Sequence, residues 1–464
     1  MTDSVAEAMP QMAPTVAQSL LERPIVSTLA RLATPNILSM LASTAVGITE
    51  SWYVGRLGTL SLAGLALVFP MFMLMNMLAA GALGGAMASA VARALGAGQP
   101  QRAQALALHA VCIALVASGL FMALFLLGGT SIYAALGAGG AVLEAARGYS
   151  NILFTGALAV WLFHTFASIL RGTGDMRTPA SVLAGVAVVQ ITLTGILTQG
   201  WGIIPAFGLS GAAMAAIVAY GLGALVLGRM LRTGNRPVRL QIYPIRLRFA
   251  LFADILRVGL MAAISPLQRV STVILMTGLV SRFGPAALAG YGIGARLELL
   301  MVPMVFGIGS ALVFMVGTHI GAGALARAHR VAWTGAIGAA LITGTFGLTG
   351  AIVPLAWGGL FTSDPTALQS CIAYLRIVGP CYSFYGLGLA LYFASQGAGK
   401  VLWPVLATCV QLTLTVGGGA LAVLWLGRGL HSLYILIAIG LVVYGVGTAL
   451  AIALGAWRRE PLGP

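Results

Sequence analysis

Two short stretches of this chain match each other 226 residues apart, RLGTLSLAG at Arg56–Gly64 and RFGPAALAG at Arg282–Gly290. After a one-residue deletion, the same register pairs RGTGDMRTP at Arg171–Pro179 with QGAGKVLWP at Gln396–Pro404. One such match would have little weight. Several matches in one register across half the chain indicate an internal duplication. We therefore predict two homologous halves.

The composition excludes a soluble protein. Of the 464 residues, 59% are hydrophobic and only 8% are charged, whereas a soluble domain has about 25% charged residues. Too little polar side chain is available to cover a soluble domain or to keep a disordered chain in water. The 62 glycines are typical of membrane helices, which tolerate and use glycine at their contacts. We therefore predict a polytopic helical membrane protein.

Twelve apolar runs are long enough to cross a bilayer, which takes about 20 residues. They cover residues 29–54, 60–92, 103–127, 145–170, 179–200, 207–231, 251–282, 285–318, 328–357, 367–395, 402–426 and 430–457. Six runs per half is an even number, so both halves begin on the same face of the membrane. The predicted fold is all-α, with twelve transmembrane helices in two parallel six-helix repeats around a central cavity, which is a transporter architecture.

The distribution of basic residues predicts the orientation. If the N-terminus is inside, 18 of the 25 lysines and arginines face the cytoplasm. We expect a multi-pass protein of the inner (plasma) membrane with both termini cytoplasmic and no nucleic acid partner. The predicted segments are an N-terminal tail (1–28), an N-lobe (29–231), a basic cytoplasmic loop (232–250), a C-lobe (251–457) and a C-terminal tail (458–464).

No catalytic pattern is present in the sequence. There is no HExxH, no GxSxG and no metal-ligand cluster, and Gly397-Ala398-Gly399-Lys400 lacks the spacing of a phosphate-binding loop. We expect no enzyme activity and no cofactor, a small-molecule substrate and a monomer in the lipid bilayer. Because no nucleotide-binding domain is visible, uphill transport would use an ion gradient.

Several segments in order along the chain resemble the multidrug and toxic compound extrusion (MATE) family. They are GITESWYVGRLGTLSLAG, ALGAGQPQRA, RGTGDMRTP, GYGIGARLE, THIGAGALARA and the FTSDP turn. Each motif is weak alone, and the ordered set is fairly specific. The resemblance implies twelve helices in two lobes and export of bulky, often cationic, amphiphiles in exchange for Na⁺ or H⁺.

Glu50 is the main candidate for coupling. Ionisable groups inside a bilayer are costly and therefore suggest function. Glu50 matches the position where the family usually has an aspartate thought to bind the coupling cation. Some relatives carry an Asn and an Asp in the fifth span beside this carboxylate. The corresponding positions of this chain are Gln190 and Thr194, which are both neutral. A site with one carboxylate suits H⁺ better than Na⁺. Two alternatives stay open, namely that Na⁺ is the coupling ion and that the Glu50 carboxylate is purely structural.

A second candidate feature joins Arg269 and Glu298. Arg269 is 14 residues before Phe283 and Glu298 is 14 after Gly284, so antiparallel neighbours place both at the same depth. We predict an ion pair, which is either structural or also titrates or meets substrate. Many relatives carry a glutamate in the seventh span, whereas the matching stretch of this chain, Ser265–Arg269, contains none. His164 in the fourth span is either a packing residue or a proton carrier.

The sequence leaves three functions to compare. The leading one is a secondary multidrug exporter. The runner-up is a lipid-linked oligosaccharide flippase of a related family, which usually needs a strongly cationic cavity, whereas the charge inside these spans is sparse and nearly balanced. An intramembrane enzyme would need a convergent nucleophile, base or metal set, which the sequence lacks.

Overall fold

The computed structural model describes residues 22–233, 236–240 and 246–457, and within these ranges every long element is a helix. Eleven helices are long and apolar enough to span a membrane, and a bent pair supplies a twelfth span. The spans are α1 (Ile25–Gly55), α2 (Thr59–Gly96), α3 (Pro100–Ala135), α4 (Gly140–Thr155 with Ala157–Gly172), α5 (Arg177–Gln199), α6 (Leu209–Thr233), α7 (Phe249–Phe283), α8 (Pro285–Gly321), α9 (Leu325–Ile352), α10 (Pro365–Ala398), α11 (Leu402–Trp425) and α12 (Leu430–Ala453). Each of the twelve predicted runs overlaps one of these spans.

Two helix breaks were not predicted from hydropathy. The two parts of α4 meet at 47° around Gly156, where the side chain of Ile217 occupies the place of a Cβ. The predicted run 328–357 is wrong beyond Ile352, because Pro354 starts a separate short helix, Pro354–Gly358. Proline cannot donate the backbone hydrogen bond that would continue α9, and it disfavours helix at the residue before it.

The duplication is visible in the backbone. Glycines with a positive φ, which L side chains rarely adopt, recur at equivalent turns of the two halves. The pairs are Gly58 and Gly284 (φ 109° and 94°), Gly98 and Gly323 (69° and 75°), Gly174 and Gly399 (88° and 75°), and Gly202 and Gly427 (60° and 59°). The sequence repeat is therefore also a structural repeat.

The two lobes pack against each other toward one end of the molecule, which we call the closed end and which carries Gly96 and Gly321. Ser89 Oγ donates to the carbonyls of Gln396 and Gly397 at 2.6 and 2.9 Å. Asn36 Nδ2 donates to Ser310 Oγ at 2.9 Å. These bonds are buried, so they hold the lobes together where water does not compete.

An ion-pair network lies beside these bonds at the closed end. Asp254 at the start of α7 accepts from Arg93 and Arg102 of the N-lobe, each at 2.9 Å. Arg236 pairs with Asp175, next to the start of α5. The N-terminal tail up to residue 21, parts of the 232–250 loop and the tail 458–464 lie outside the described residues, and the exact lobe boundaries stay predictions.

Backbone contact at the closed end predicts the effect of a single methyl group. A Cβ on Gly321 would lie 2.2 Å from the carbonyl oxygen of Arg93, and a backbone oxygen cannot move aside as a flexible side chain can. Gly321→Ala should therefore favour separation of the lobes at this end. The measurement is thiol labelling of Ser89→Cys, now fully buried, in a version without the native cysteines. We expect labelling to accelerate by about tenfold or more as the population shifts.

The matched control is Gly119→Ala in α3, where an added Cβ meets nothing within 4 Å. It should leave the labelling rate of the Ser89→Cys thiol unchanged. Equal labelling in the Gly321→Ala and Gly119→Ala proteins would show that the glycine contact does not hold this end closed.

Candidate functional site

Glu50 lies on α1 in a pocket of the N-lobe and is only 7% exposed. The hydroxyl of Tyr149, on the first half of α4, donates to Glu50 Oε1 at 2.9 Å. Phe69 and Phe72 from α2 form part of the apolar wall. A carboxylate in such surroundings keeps its charge only at high cost, so it is suited to exchange its charge for a proton or to attract a cation.

The two neutral residues predicted beside Glu50 differ in their positions. Gln190 is buried and lines the Glu50 pocket. Thr194, one turn further along α5, is buried but is not among the residues that line the pocket. Its hydroxyl has no hydrogen-bond partner within the described ranges. Of the two neutral residues that the sequence predicts beside Glu50, Gln190 is therefore the one that lines its pocket.

His164 is connected to the Glu50 pocket through two residues that sequence reasoning did not select. His164 Nε2 is 2.9 Å from Asn76 Oδ1, which also accepts from the Tyr220 hydroxyl at 3.4 Å. Tyr220 in turn lines the Glu50 pocket. His164 thus lies behind the pocket, two hydrogen bonds away from the pocket-lining Tyr220. The signal for Asn76 was available, because it is a polar residue in the middle of an apolar run.

The backbone next to Asn76 is also unusual. Residues Met77–Ala82 of α2 form a π-helical stretch, in which the chain takes the wider i→i+5 hydrogen bonds. Such stretches occur frequently at functional sites. Two of its carbonyls, those of Gly81 and Ala82, accept from Gln396 Nε2 of the C-lobe at 3.0 and 2.9 Å.

The C-lobe holds the predicted ion pair. Arg269 Nη2 donates to Glu298 Oε1 at 3.0 Å and also to the hydroxyl of Tyr385. The guanidinium lies 4.9 Å from the centre of the Tyr385 ring. The side chains of Arg269 and Glu298 are 28% and 29% exposed. The pair therefore lies in a half-buried position and is not sealed in the core.

Tyrosines surround this pair on several helices. They belong to one buried cluster with Met276 and Met301 and include Tyr291, Tyr374, Tyr382, Tyr385, Tyr434 and Tyr444. Met276 is the residue that the duplication aligns with Glu50. Within the described residues, Glu50 of the N-lobe forms no ion pair, whereas Glu298 of the C-lobe is paired with Arg269.

Asp364, in the FTSDP turn before α10, caps the start of that helix. The Asp364 side chain accepts from the backbone N–H of Thr366 at 3.0 Å, and Pro365 occupies the first position of the helix. Hydrogen bonds from the Thr366 hydroxyl and backbone lower the pKa of Asp364. Elsewhere in the described ranges, no group of three His, Cys, Asp or Glu residues converges as a metal site.

The MatE family model matches the chain twice, over residues 35–196 and 262–421, once in each half. The chain belongs to the MatE family. Its relatives include a FAD transporter of Shewanella oneidensis, 24% identical over 81% of this chain and 82% of that protein. Others are a probable multidrug resistance protein NorM of Deinococcus radiodurans (27%, 92% and 96%) and one of Thermotoga maritima (26%, 81% and 80%).

Solved MATE-type structures have the same fold. A MOP superfamily transporter from Pyrococcus furiosus superimposes with a TM-score of 0.88 at 24% identity, covering 97% of this chain and 100% of that one. A multidrug resistance MATE family transporter in an outward-facing conformation gives 0.86 at 24%, covering 96% and 98%. The family match and the curated relatives indicate that this MatE protein is a multi-pass membrane transporter rather than an enzyme, and they do not favour the flippase alternative.

Proposed function

We propose that this MatE protein is a secondary antiporter that exports bulky amphiphilic compounds, cationic ones included, in exchange for H⁺. The observation that carries the proposal is the burial of Glu50 in a pocket whose other lining residues are neutral. The hydrogen bond from Tyr149 fixes its carboxylate in place. A lone carboxylate in that position interacts differently with a cation in its charged and protonated forms.

The exchange cycle follows from this difference. Protonation of Glu50 from the acidic outer side would remove its attraction for a cationic substrate and release the substrate there. Deprotonation toward the cytoplasm would restore the attraction. Na⁺ remains the alternative coupling ion, since Gln190 offers one additional oxygen ligand in the same pocket. A single carboxylate among neutral lining residues offers a desolvated Na⁺ little compensation for its charge, which favours the proton.

The proposed orientation places the closed end at the cytoplasmic face. This orientation rests on the distribution of basic residues, which are enriched on the cytoplasmic side of membrane proteins. The loops and helix termini of the closed end contain Arg93, Arg102, Arg236 and Arg327. With both termini inside, the conformation described above is the outward-facing one. The proposed location is the inner membrane, and the proposed unit is a monomer, since each chain supplies both lobes.

Thiol labelling of single cysteines checks this orientation. A cysteine at Ile203, in the α5–α6 connection and fully exposed, should react with an impermeant reagent added outside intact cells. A cysteine at Gln101, at the exposed start of α3, should react only after the membrane is opened. The opposite pattern would reverse the topology and turn the closed end outward.

Dye efflux tests the function itself. Ethidium is added to the medium of everted vesicles that contain the protein, so that export appears as uptake of the dye into the lumen. A pH gradient with an acidic lumen and a Na⁺ gradient with a Na⁺-rich lumen are imposed separately. We expect the pH gradient alone to drive ethidium transport, and vesicles without the protein to show none. Transport under the Na⁺ gradient only would replace H⁺ by Na⁺, and no gradient-dependent movement of any cationic dye would overturn the export function.

A further inference from the structure

Arg171 is a buried arginine that no part of the proposed coupling site uses. It lies in the last turn of α4, and only 6% of the residue is exposed. Its position near a span end places it among the 18 basic residues that the sequence predicts at the cytoplasmic face. The structure instead turns its side chain into a cavity between the lobes.

The walls of this cavity provide no negative charge. The N-lobe wall consists of glycines and alanines of α2, and the C-lobe wall includes Phe306, Phe393, Ser310 and Gln396. Arg171 is the charged side chain in this lining. The cavity has room for about one water molecule in this conformation, so a carboxylate or phosphate enters it only when the lobes separate at the closed end.

The guanidinium of Arg171 has little compensation from the protein. It donates to Ser168 Oγ at 3.0 Å and lies 5.9 Å from the Phe306 ring centre, a long cation–π distance. In the described part of the chain, the carboxylates that form ion pairs are those of Asp175, Asp254 and Glu298, and none of them pairs with Arg171. A guanidinium has five donors in a fork that matches a carboxylate or a phosphate.

The equivalent position of the C-lobe is occupied by a neutral residue. Arg171 aligns with Gln396 in the C-lobe, and both residues line the same cavity. Gln396 is fully buried and fills the equivalent position as a neutral side chain, with both hydrogen bonds of its Nε2 made to the π-helical stretch of α2. Its Oε1 has no partner within the described ranges. At this pair of equivalent positions, only the N-lobe carries a charge.

We propose that the Arg171 cavity binds the carboxylate or phosphate group of a transported molecule and so favours cargo that carries an anionic group. The proposal rests on the transport function proposed above and specifies its substrate class. An oxyanion between the lobes would accept from the N–H groups of Arg171, the charged side chain of the lining. A buried cation without a partner is costly, and the incoming anion would remove that cost.

Equilibrium binding to the purified full chain tests this site without an ion gradient, so its result is independent of the coupling ion. The probes are a xanthene dye with a free carboxylate and the methyl ester of the same dye. Fluorescence anisotropy gives the Kd of each in detergent. For the wild type we expect the acid to bind at least about tenfold tighter than the ester.

The variants are chosen to separate charge from packing. Arg171→Gln copies the residue of the equivalent C-lobe position and should remove the preference for the acid. Arg171→Lys keeps the charge but loses the forked geometry, so it should keep part of the preference. Arg177→Gln removes an exposed arginine of α5 and is the matched control, which should behave as wild type. Thermal unfolding verifies that each variant is folded. If Arg171→Gln does not fold, the test rests on Arg171→Lys, whose preference for the acid should be smaller than that of the wild type.

Two results would overturn the proposal. In the first, the wild type binds the acid and the ester equally, or Arg171→Gln retains the preference. In the second, inorganic phosphate alone raises the unfolding temperature of the wild type but not of Arg171→Gln, while the dye acid is not preferred. The cavity would then hold a free inorganic anion and not a group of the cargo.

Discussion

Replacing Glu50 with glutamine should reduce pH-driven efflux to the level of vesicles that lack the protein, while the chain stays folded and in the membrane. Glutamine has nearly the same shape and still accepts a hydrogen bond from Tyr149, which now donates to Glu50 at 2.9 Å. It cannot change its charge, however, so proton entry and substrate release are no longer linked. The measurement is ethidium transport at a fixed pH gradient, with the amount of protein in the membrane determined in parallel.

The conservative variant and a matched control define this prediction. Glu50→Asp keeps the charge but moves the carboxylate away from Tyr149 by one methylene, so it should keep part of the activity. Glu144→Gln removes an exposed glutamate of α4 and should transport normally. Normal pH-driven export by Glu50→Gln would place the carrier elsewhere, and Glu298 and His164 would be tested next.

Removing either partner of the Arg269–Glu298 pair should destabilise the protein more than removing both. A fully buried pair loses about 3–5 kcal/mol when one partner is deleted, because the other charge is left without compensation. These side chains are 28% and 29% exposed, so water screens part of that cost, and we expect a coupling of about 0.5–3 kcal/mol. The measurement is the free energy of unfolding in mixed detergent micelles for Arg269→Ala, Glu298→Ala and the double variant.

Two further variants complete this cycle. Arg282→Ala removes an exposed arginine at the end of the same span and should change the free energy of unfolding little. Tyr385→Phe removes the hydroxyl that accepts from Arg269 and should weaken the protein less than Glu298→Ala does. Additive effects of the two single alanine variants would mean that the ion pair contributes no coupling in the membrane-like environment.

The difference between the lobes has a consequence for coupling. Arg269 already supplies the positive charge that Glu298 would otherwise take from a cation or a proton. Glu50 has no such internal partner in the described part of the chain. The N-lobe is therefore the half in which an exchangeable ion has the larger effect, which agrees with the proposal that coupling occurs there.

The spans and their duplication were determined by the sequence alone. Hydropathy located all twelve spans because the bilayer imposes a length of apolar chain on each helix, independent of its neighbours. The repeat was readable because equivalent turns need the same glycines, such as Gly58 and Gly284. The Arg269–Glu298 pair was also predictable, because a tight turn between two antiparallel helices fixes which depths are equal.

The partners of the buried polar groups were decided by the tertiary structure. Tyr149 is 99 residues from Glu50, and Ser89 is more than 300 residues from the carbonyls that it contacts. Which face of each helix turns inward depends on how the helices rotate and pack. For this reason the sequence could not separate Gln190, which lines the Glu50 pocket, from Thr194, which does not. Hydropathy assigned Arg171 to the membrane surface, and only the packing of the two lobes placed its charge in the cavity between them.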